Sequence, residues 1–114
     1  MFSNSSYNIP VRKFGRTKIE IPILSIGGMR FQQSWEDLSP NQINDKSQTI
    51  LQETLQKGFS LGLNHIETAR HYGTSERQLG WAFKNIQQSN IILQTKVPPD
   101  NDSKKFESEL ELSF

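Results

Sequence analysis

The sequence predicts an α/β fold built on a parallel sheet, and three observations predict it. After a short hairpin, strand-like and helix-like segments alternate strictly, as βαβ units require. Leu79, Ala82, Phe83 and Ile86 sit at i, i+3, i+4 and i+7, which gives one helix an apolar face. Residues 91–97, Ile-Ile-Leu-Gln-Thr-Lys-Val, form a β-rich run closed by Pro98 and Pro99.

Taken in order, residues 1–10 are predicted to be a disordered N-terminal tail and residues 11–114 the folded domain. Residues 11–14 and 19–21 flank Gly15-Arg16-Thr17-Lys18 as the arms of a hairpin, and Pro22 is expected to break the pairing. Ile23-Leu24-Ser25-Ile26 reads as a buried strand entering a loop at Gly27-Gly28. Residues 31–48 are polar and are expected to be a long loop. Ile50, Leu51, Leu55 and Phe59 then mark a helix, with Gly62 placed as its terminating glycine. Residues 65–69 form a short strand candidate. Ser75 followed by Gln78 is the pattern of a capping box at the next helix. Phe106, Leu110 and Phe114 open a last helix, and its apolar end without a stop signal reads as a cut.

Composition narrows the function. The chain has 114 residues, 33% of them apolar, a thin core for a self-contained domain. Thirteen Lys+Arg against twelve Asp+Glu argue against a nucleic-acid-binding surface. With no cysteine there can be no disulfide framework, thiolate zinc site, iron–sulfur ligand or cysteine nucleophile within these residues. No apolar run nears the ~20 residues of a membrane span, and the N-terminus lacks the regions of a signal peptide. The expected location is the cytoplasm.

Motif searches exclude more. Gly27-Gly28-Met29-Arg30 lacks the spacing of G-x-G-x-x-G, and no phosphate-binding P-loop is present. His65-Ile66-Glu67 is half of a zinc-deaminase signature whose cysteines are missing. His65 and His71 are six apart and do not share a helical face, so no metal site is expected.

What remains is a trio at the carboxyl ends of the strands, where parallel sheets place their sites. Glu67 lies in the second strand of the sheet, Tyr72 just after it and Lys96 near the end of the third. Adjacent strands ~4.8 Å apart would let these side chains meet. A phenol titrates ordinarily near ~10, and a neighbouring ammonium stabilises its anion. A carboxylate paired to that ammonium keeps it charged and oriented, so the phenol is suited to general-acid work. Taken singly, Lys96 also reads as a solvated strand-end lysine, Glu67 as a helix cap and Tyr72 as turn packing.

Residues 62–80, containing His65-Ile66-Glu67-Thr68-Ala69-Arg70-His71-Tyr72-Gly73-Thr74-Ser75-Glu76, resemble the signature of the aldo/keto reductase family. The hairpin through Gly27 and the run Leu93-Gln94-Thr95-Lys96-Val97 are similar to the family in the same register. The resemblance implies a (β/α)8 TIM barrel capped by the hairpin, here cut after about three β/α units. Such a barrel takes ~250 residues. It implies NADPH (NADP) as the cofactor, bound without a Rossmann motif, and reduction of a small-molecule aldehyde or ketone. Tyr72 would be the proton donor, Lys96 would tune it and Glu67 would hold the lysine. Gly28, Met29 and Arg30 would touch the nicotinamide end of the cofactor.

Two departures accompany the resemblance. Glu67 stands where the family usually has aspartate, although the His65–Ala69 segment is similar to a subset of relatives, some with an added iron–sulfur domain. The family's catalytic histidine ends a fourth strand, which this chain stops short of; His65 and His71 occupy other positions. The expectation is therefore an NADPH-dependent oxidoreductase in the full-length parent and no turnover by the fragment. The alternatives are a regulatory, cofactor-sensing subunit and an inert truncated fragment.

Overall fold

The computed structural model describes residues 9–30 and 32–113. Residues 1–8 of the tail expected over residues 1–10, and the place of Phe114 on the last helix, lie outside that set. Strands β1 (Val11–Lys13) and β2 (Glu20–Pro22) pair antiparallel, joined by a turn with Gly15 at φ +58°. Pro22 does not break the ladder. It lies opposite Val11, between the hydrogen-bonded positions Arg12↔Ile21 and Pro10↔Ile23, so its missing N–H leaves no acceptor unfilled. The Ile23 N–H donates to the Pro10 carbonyl at 2.9 Å, carrying the ladder one pair beyond Val11.

The second sheet has the order β3 (Ile26–Gly27), β4 (His65–Glu67), β5 (Ile92–Gln94), all parallel. Ile26 pairs Ile66, which pairs Leu93; Gly27 pairs Glu67, which pairs Gln94. The strands are shorter than their apolar runs suggest. Ile23 and Leu24 lie before β3 and are exposed; Ile23 continues the hairpin ladder to Pro10 and does not join β3, which is an edge strand among the described residues. Ile91 also precedes its strand, and Lys96 lies two residues beyond β5. The hydrogen-bonding nevertheless continues past the strands: the Thr68 N–H donates to Gln94 and the Arg70 N–H to Lys96, at 2.8 and 2.9 Å.

Helices α1 (Asp45–Ser60), α2 (Ser75–Asn85) and α3 (Ser103–Leu112) follow the three strands in turn. α1 begins earlier than its apolar residues do, since Asn44 caps it by accepting the Ser47 N–H at 2.7 Å. Part of the expected loop is thus helical, and Pro40–Gln42 forms a further 3₁₀ turn within it. At the other end Gly62 adopts φ +88°, with the Gly62 N–H donating to Phe59 and the Leu63 N–H to Gly58. That paired arrangement satisfies the last carbonyls, and an L side chain would strain it. Leu51, Leu55, Ile66, Leu79 and Ala82 form the buried core between helices and sheet, while Ile50 turns outward.

The expected capping box at α2 is absent. Thr74, not Ser75, is the capping residue, and it makes no side-chain cap bond. Ser75 is instead the first helical residue, and its hydroxyl donates to the Gly28 carbonyl at 3.0 Å beside Thr68 Oγ1 at 2.8 Å. Gln78 works inward rather than back to the helix start. Its Oε1 accepts from the Gln33 N–H at 3.0 Å and the Thr74 hydroxyl at 2.7 Å, and its Nε2 donates to Ser47. Gln78 is fully buried, so Gln78→Leu would leave the buried Thr74 hydroxyl without its acceptor. We expect that variant to lose ~1–3 kcal/mol in urea unfolding; an unchanged midpoint would show the network to be dispensable.

Candidate active site

The carboxyl ends of β3, β4 and β5 open onto one edge of the sheet, and each continues into a segment carrying a candidate residue. β4 alternates its side chains: Ile66 packs beneath the helices, while His65 and Glu67 share the opposite face. Glu67 reaches Lys96, whose Nζ pairs directly with Glu67 Oε1 and donates to the Thr68 carbonyl at 2.9 Å. The same Nζ lies 5.0 Å from the centroid of the Tyr72 ring. The three residues proposed from the sequence therefore meet.

Burial opposes the Lys96 charge, but hydrogen bonding and attraction from Glu67, with a further contribution from Tyr72, outweigh it and hold the ammonium above its ordinary range. Lys96 is accordingly a cation at neutral pH, partly open to solvent. Tyr72 is held by its own turn, its N–H donating to Ala69 and its carbonyl accepting from Ser75.

Gly28–Arg30 forms a 3₁₀ turn directly after β3. A Cβ on Gly28 would come within 2.9 Å of Ser75 Oγ and 3.0 Å of the Glu67 carbonyl, so only glycine allows the turn to sit against β4. Gly28 is buried, whereas Met29 and Arg30 are exposed. His65 is also buried, 2.5 Å from Ser25 Oγ and 3.1 Å from Gln94 Oε1, where a tautomer protonated on Nε2 satisfies both contacts. It is a hydrogen-bonded residue beneath the site, as expected for its position. His71 is exposed, and its Nε2 lies 3.5 Å from Glu109. Among the described residues, no group of three or more His, Cys, Asp or Glu could hold a metal ion. No helix among them is long and apolar enough to cross a membrane.

The structure adds residues that sequence reasoning missed. Trp35 meets the Tyr72 ring edge-on, with centroids 6.3 Å apart and planes at 86°. Asp37, two residues on, accepts from Arg70 at 2.6 and 3.3 Å. No local pattern marks these partners, which lie 33 residues or more apart. The hydrogen bond from Arg70 is the main cause holding the Asp37 carboxyl below its ordinary value of 3.8; burial opposes it, while the charges of Arg70, Arg77 and His71 assist. A depressed carboxyl stabilises the fold above 3.8 and ceases to as pH falls through the lower folded value. Carboxyl NMR should therefore show Asp37 titrating below 3.8, and Arg70→Ala should move it back up. A midpoint indifferent to Arg70 would contradict the pairing.

A cleft of about 970 Å³ lies between α2, β5 and α3, lined by Arg77, Trp81, Leu93 and Leu112 among others. Glu67, Tyr72 and Lys96 do not line it.

Parallel strands alternating with helices, and a polar site where the strands end, define an α/β protein of the kind that builds catalysis at its carboxyl face. Residues 23–112 match the family model described as the aldo/keto reductase family, and the chain belongs to that family of oxidoreductases. Among solved structures, the chain is similar to a Pseudomonas aeruginosa protein provisionally described as an aldo-keto reductase. The TM-score is 0.73 at 24% identity, over 98% of this chain and 46% of that one. At that identity the likeness speaks for the fold alone, and this chain spans less than half the length of the other. No curated protein matched the chain.

Proposed function

We propose that the chain is the N-terminal part of an NADPH-dependent oxidoreductase that reduces small-molecule aldehydes or ketones, with its hairpin closing the amino end of a (β/α)8 barrel. The observation that carries this reading is the Lys96 ammonium, held between Glu67 and the Thr68 carbonyl with its charge 5.0 Å from the Tyr72 ring. Membership of a family whose members act on carbonyl compounds supports the same assignment.

In this reading Tyr72 donates its hydroxyl proton to the carbonyl oxygen as that oxygen becomes an alkoxide. Lys96 stabilises the phenolate left behind, and Glu67 keeps the ammonium charged and aimed. Solvent reaches the partly exposed Lys96 and returns the proton. NADPH, when bound, supplies the hydride that reduces the carbonyl carbon to the alcohol. The residues of this turn fit a cofactor there: Gly28 lets the turn sit close against β4, and Met29 and Arg30 present an apolar and a cationic group to solvent. Arg30 is the group suited to a cofactor phosphate or amide.

The test extends the reading frame downstream and titrates the resulting protein with NADPH, following absorbance at 340 nm with a panel of aldehydes and ketones. Saturable oxidation that depends on the carbonyl is expected, and the 114-residue chain alone should show none. NADPH binding without turnover by the extended protein would favour a cofactor-sensing subunit, and no binding would remove the assignment.

A further inference from the structure

We propose that Arg70 is a positioning residue for Tyr72, acting through the segment 32–39 that carries Trp35. This rests on the reading of Tyr72 as proton donor, but its geometric part stands independently. Arg70 lies three residues beyond β4, and its side chain is only 12% exposed. Three separate parts of the chain converge on it. Its guanidinium donates twice to Asp37, at 2.6 and 3.3 Å, in the two-pronged geometry that fixes orientation as well as distance. Its Nε lies 3.3 Å from Glu109 Oε2 of α3, which His71 Nε2 also approaches at 3.5 Å. Its backbone N–H donates to the carbonyl of Lys96 at 2.9 Å.

Two of these contacts bear on the trio. The backbone bond sets the height of Lys96 against the turn that carries Tyr72. The pair with Asp37 holds down a segment whose Trp35 stands edge-on to the Tyr72 ring. That segment is anchored again at its start, where the Thr74 N–H donates to Ser34 and the Gln33 N–H to Thr74 Oγ1. Between these anchors Trp35, itself 61% exposed, lies edge-on to the Tyr72 ring. The tyrosine ring thus has Lys96 on one side and Trp35 on another, and Arg70 bonds Lys96 through its backbone and the segment carrying Trp35 through Asp37. Lysine at this position would keep the charge but make a single contact with Asp37, since an ammonium has no planar fork.

The experiment uses aromatic NMR on the 114-residue chain and kinetics on the extended protein. In the chain, cross-relaxation between Trp35 and Tyr72 ring protons should be lost in Arg70→Ala and in Asp37→Asn, and weakened in Arg70→Lys. Asp37 is 58% exposed, so its variant reads the clamp even where loss of the buried arginine unfolds the protein. Persistence of the contact in Asp37→Asn with a dispersed amide spectrum would overturn the proposal. In the extended protein, Arg70→Ala should lower kcat about tenfold at unchanged KM for NADPH, with partial recovery in Arg70→Lys; equal losses in both would mark Arg70 as merely structural. Absence of turnover in the unsubstituted protein would sink the assignment of function while the ring contact still decides the clamp.

Discussion

Tyr72→Phe should reduce kcat for carbonyl reduction by the extended protein about 10²–10⁴-fold, the range lost when a positioned acid is removed. The substitution deletes one oxygen and keeps the ring. The edge contact with Trp35 and the placement of Lys96 over the ring therefore survive, since both depend on the aromatic face. NADPH affinity should stay within about twofold, because the residues assigned to the cofactor belong to the turn after β3. The loss amounts to ~3–5 kcal/mol of transition-state stabilisation. Stopped-flow binding with steady-state turnover separates the two quantities. Retention of kcat would remove Tyr72 from the proton-donor role and leave the Lys96–Glu67 pair as a structural tie.

The order of elements was legible in the sequence because each helix and strand advertises its period. Leu51 and Leu55 of α1, and Leu79 and Ala82 of α2, are spaced for one face, and all four are buried. Glu67, Tyr72 and Lys96 were legible for a topological reason: neighbouring parallel strands place residues at their ends side by side, and Glu67 lies opposite Gln94, two residues before Lys96. Burial of Ile23 and Leu24 was not, because an apolar run does not say where its strand begins, and Ile23 pairs with Pro10 in the hairpin ahead of β3. The start of α1 was hidden by its polar first turn, although Asn44 three residues before Ser47 carries the capping signal. Ser75 and Gln78 matched a local capping pattern but spend their hydrogen bonds on Gly28, Gln33 and Ser47. Those partners come from distant segments, as do Asp37 for Arg70 and Trp35 for Tyr72. Nothing in a local window distinguishes a side chain that caps its own helix from one that fastens a loop.

Gly73→Ala is the substitution expected to disturb this arrangement most without touching a chemical group. Gly73 sits immediately after Tyr72 at φ +51°, where a side chain costs roughly 1–2 kcal/mol in backbone strain alone. A Cβ there would stand 1.7 Å from the Ser34 carbonyl oxygen and 2.6–2.7 Å from the carbonyl carbons of Ser34 and Trp35. These are backbone atoms of the segment that Arg70 holds, so no rotamer change relieves the clash. The segment must lift, and the bond from the Thr74 N–H to Ser34 goes with it, at ~0.5–1.5 kcal/mol. Together these predict a loss of about 1.5–3.5 kcal/mol in urea unfolding. They also predict disappearance of the Trp35–Tyr72 ring contact. Gly80→Ala is the control: it lies within α2, a Cβ there meets nothing within 4 Å, and it should stabilise by ~0.5–1 kcal/mol. If Gly73→Ala unfolds at the unsubstituted midpoint with the ring contact intact, the segment 32–39 does not pack against the Tyr72 turn in solution, and Trp35 has no part in holding the ring.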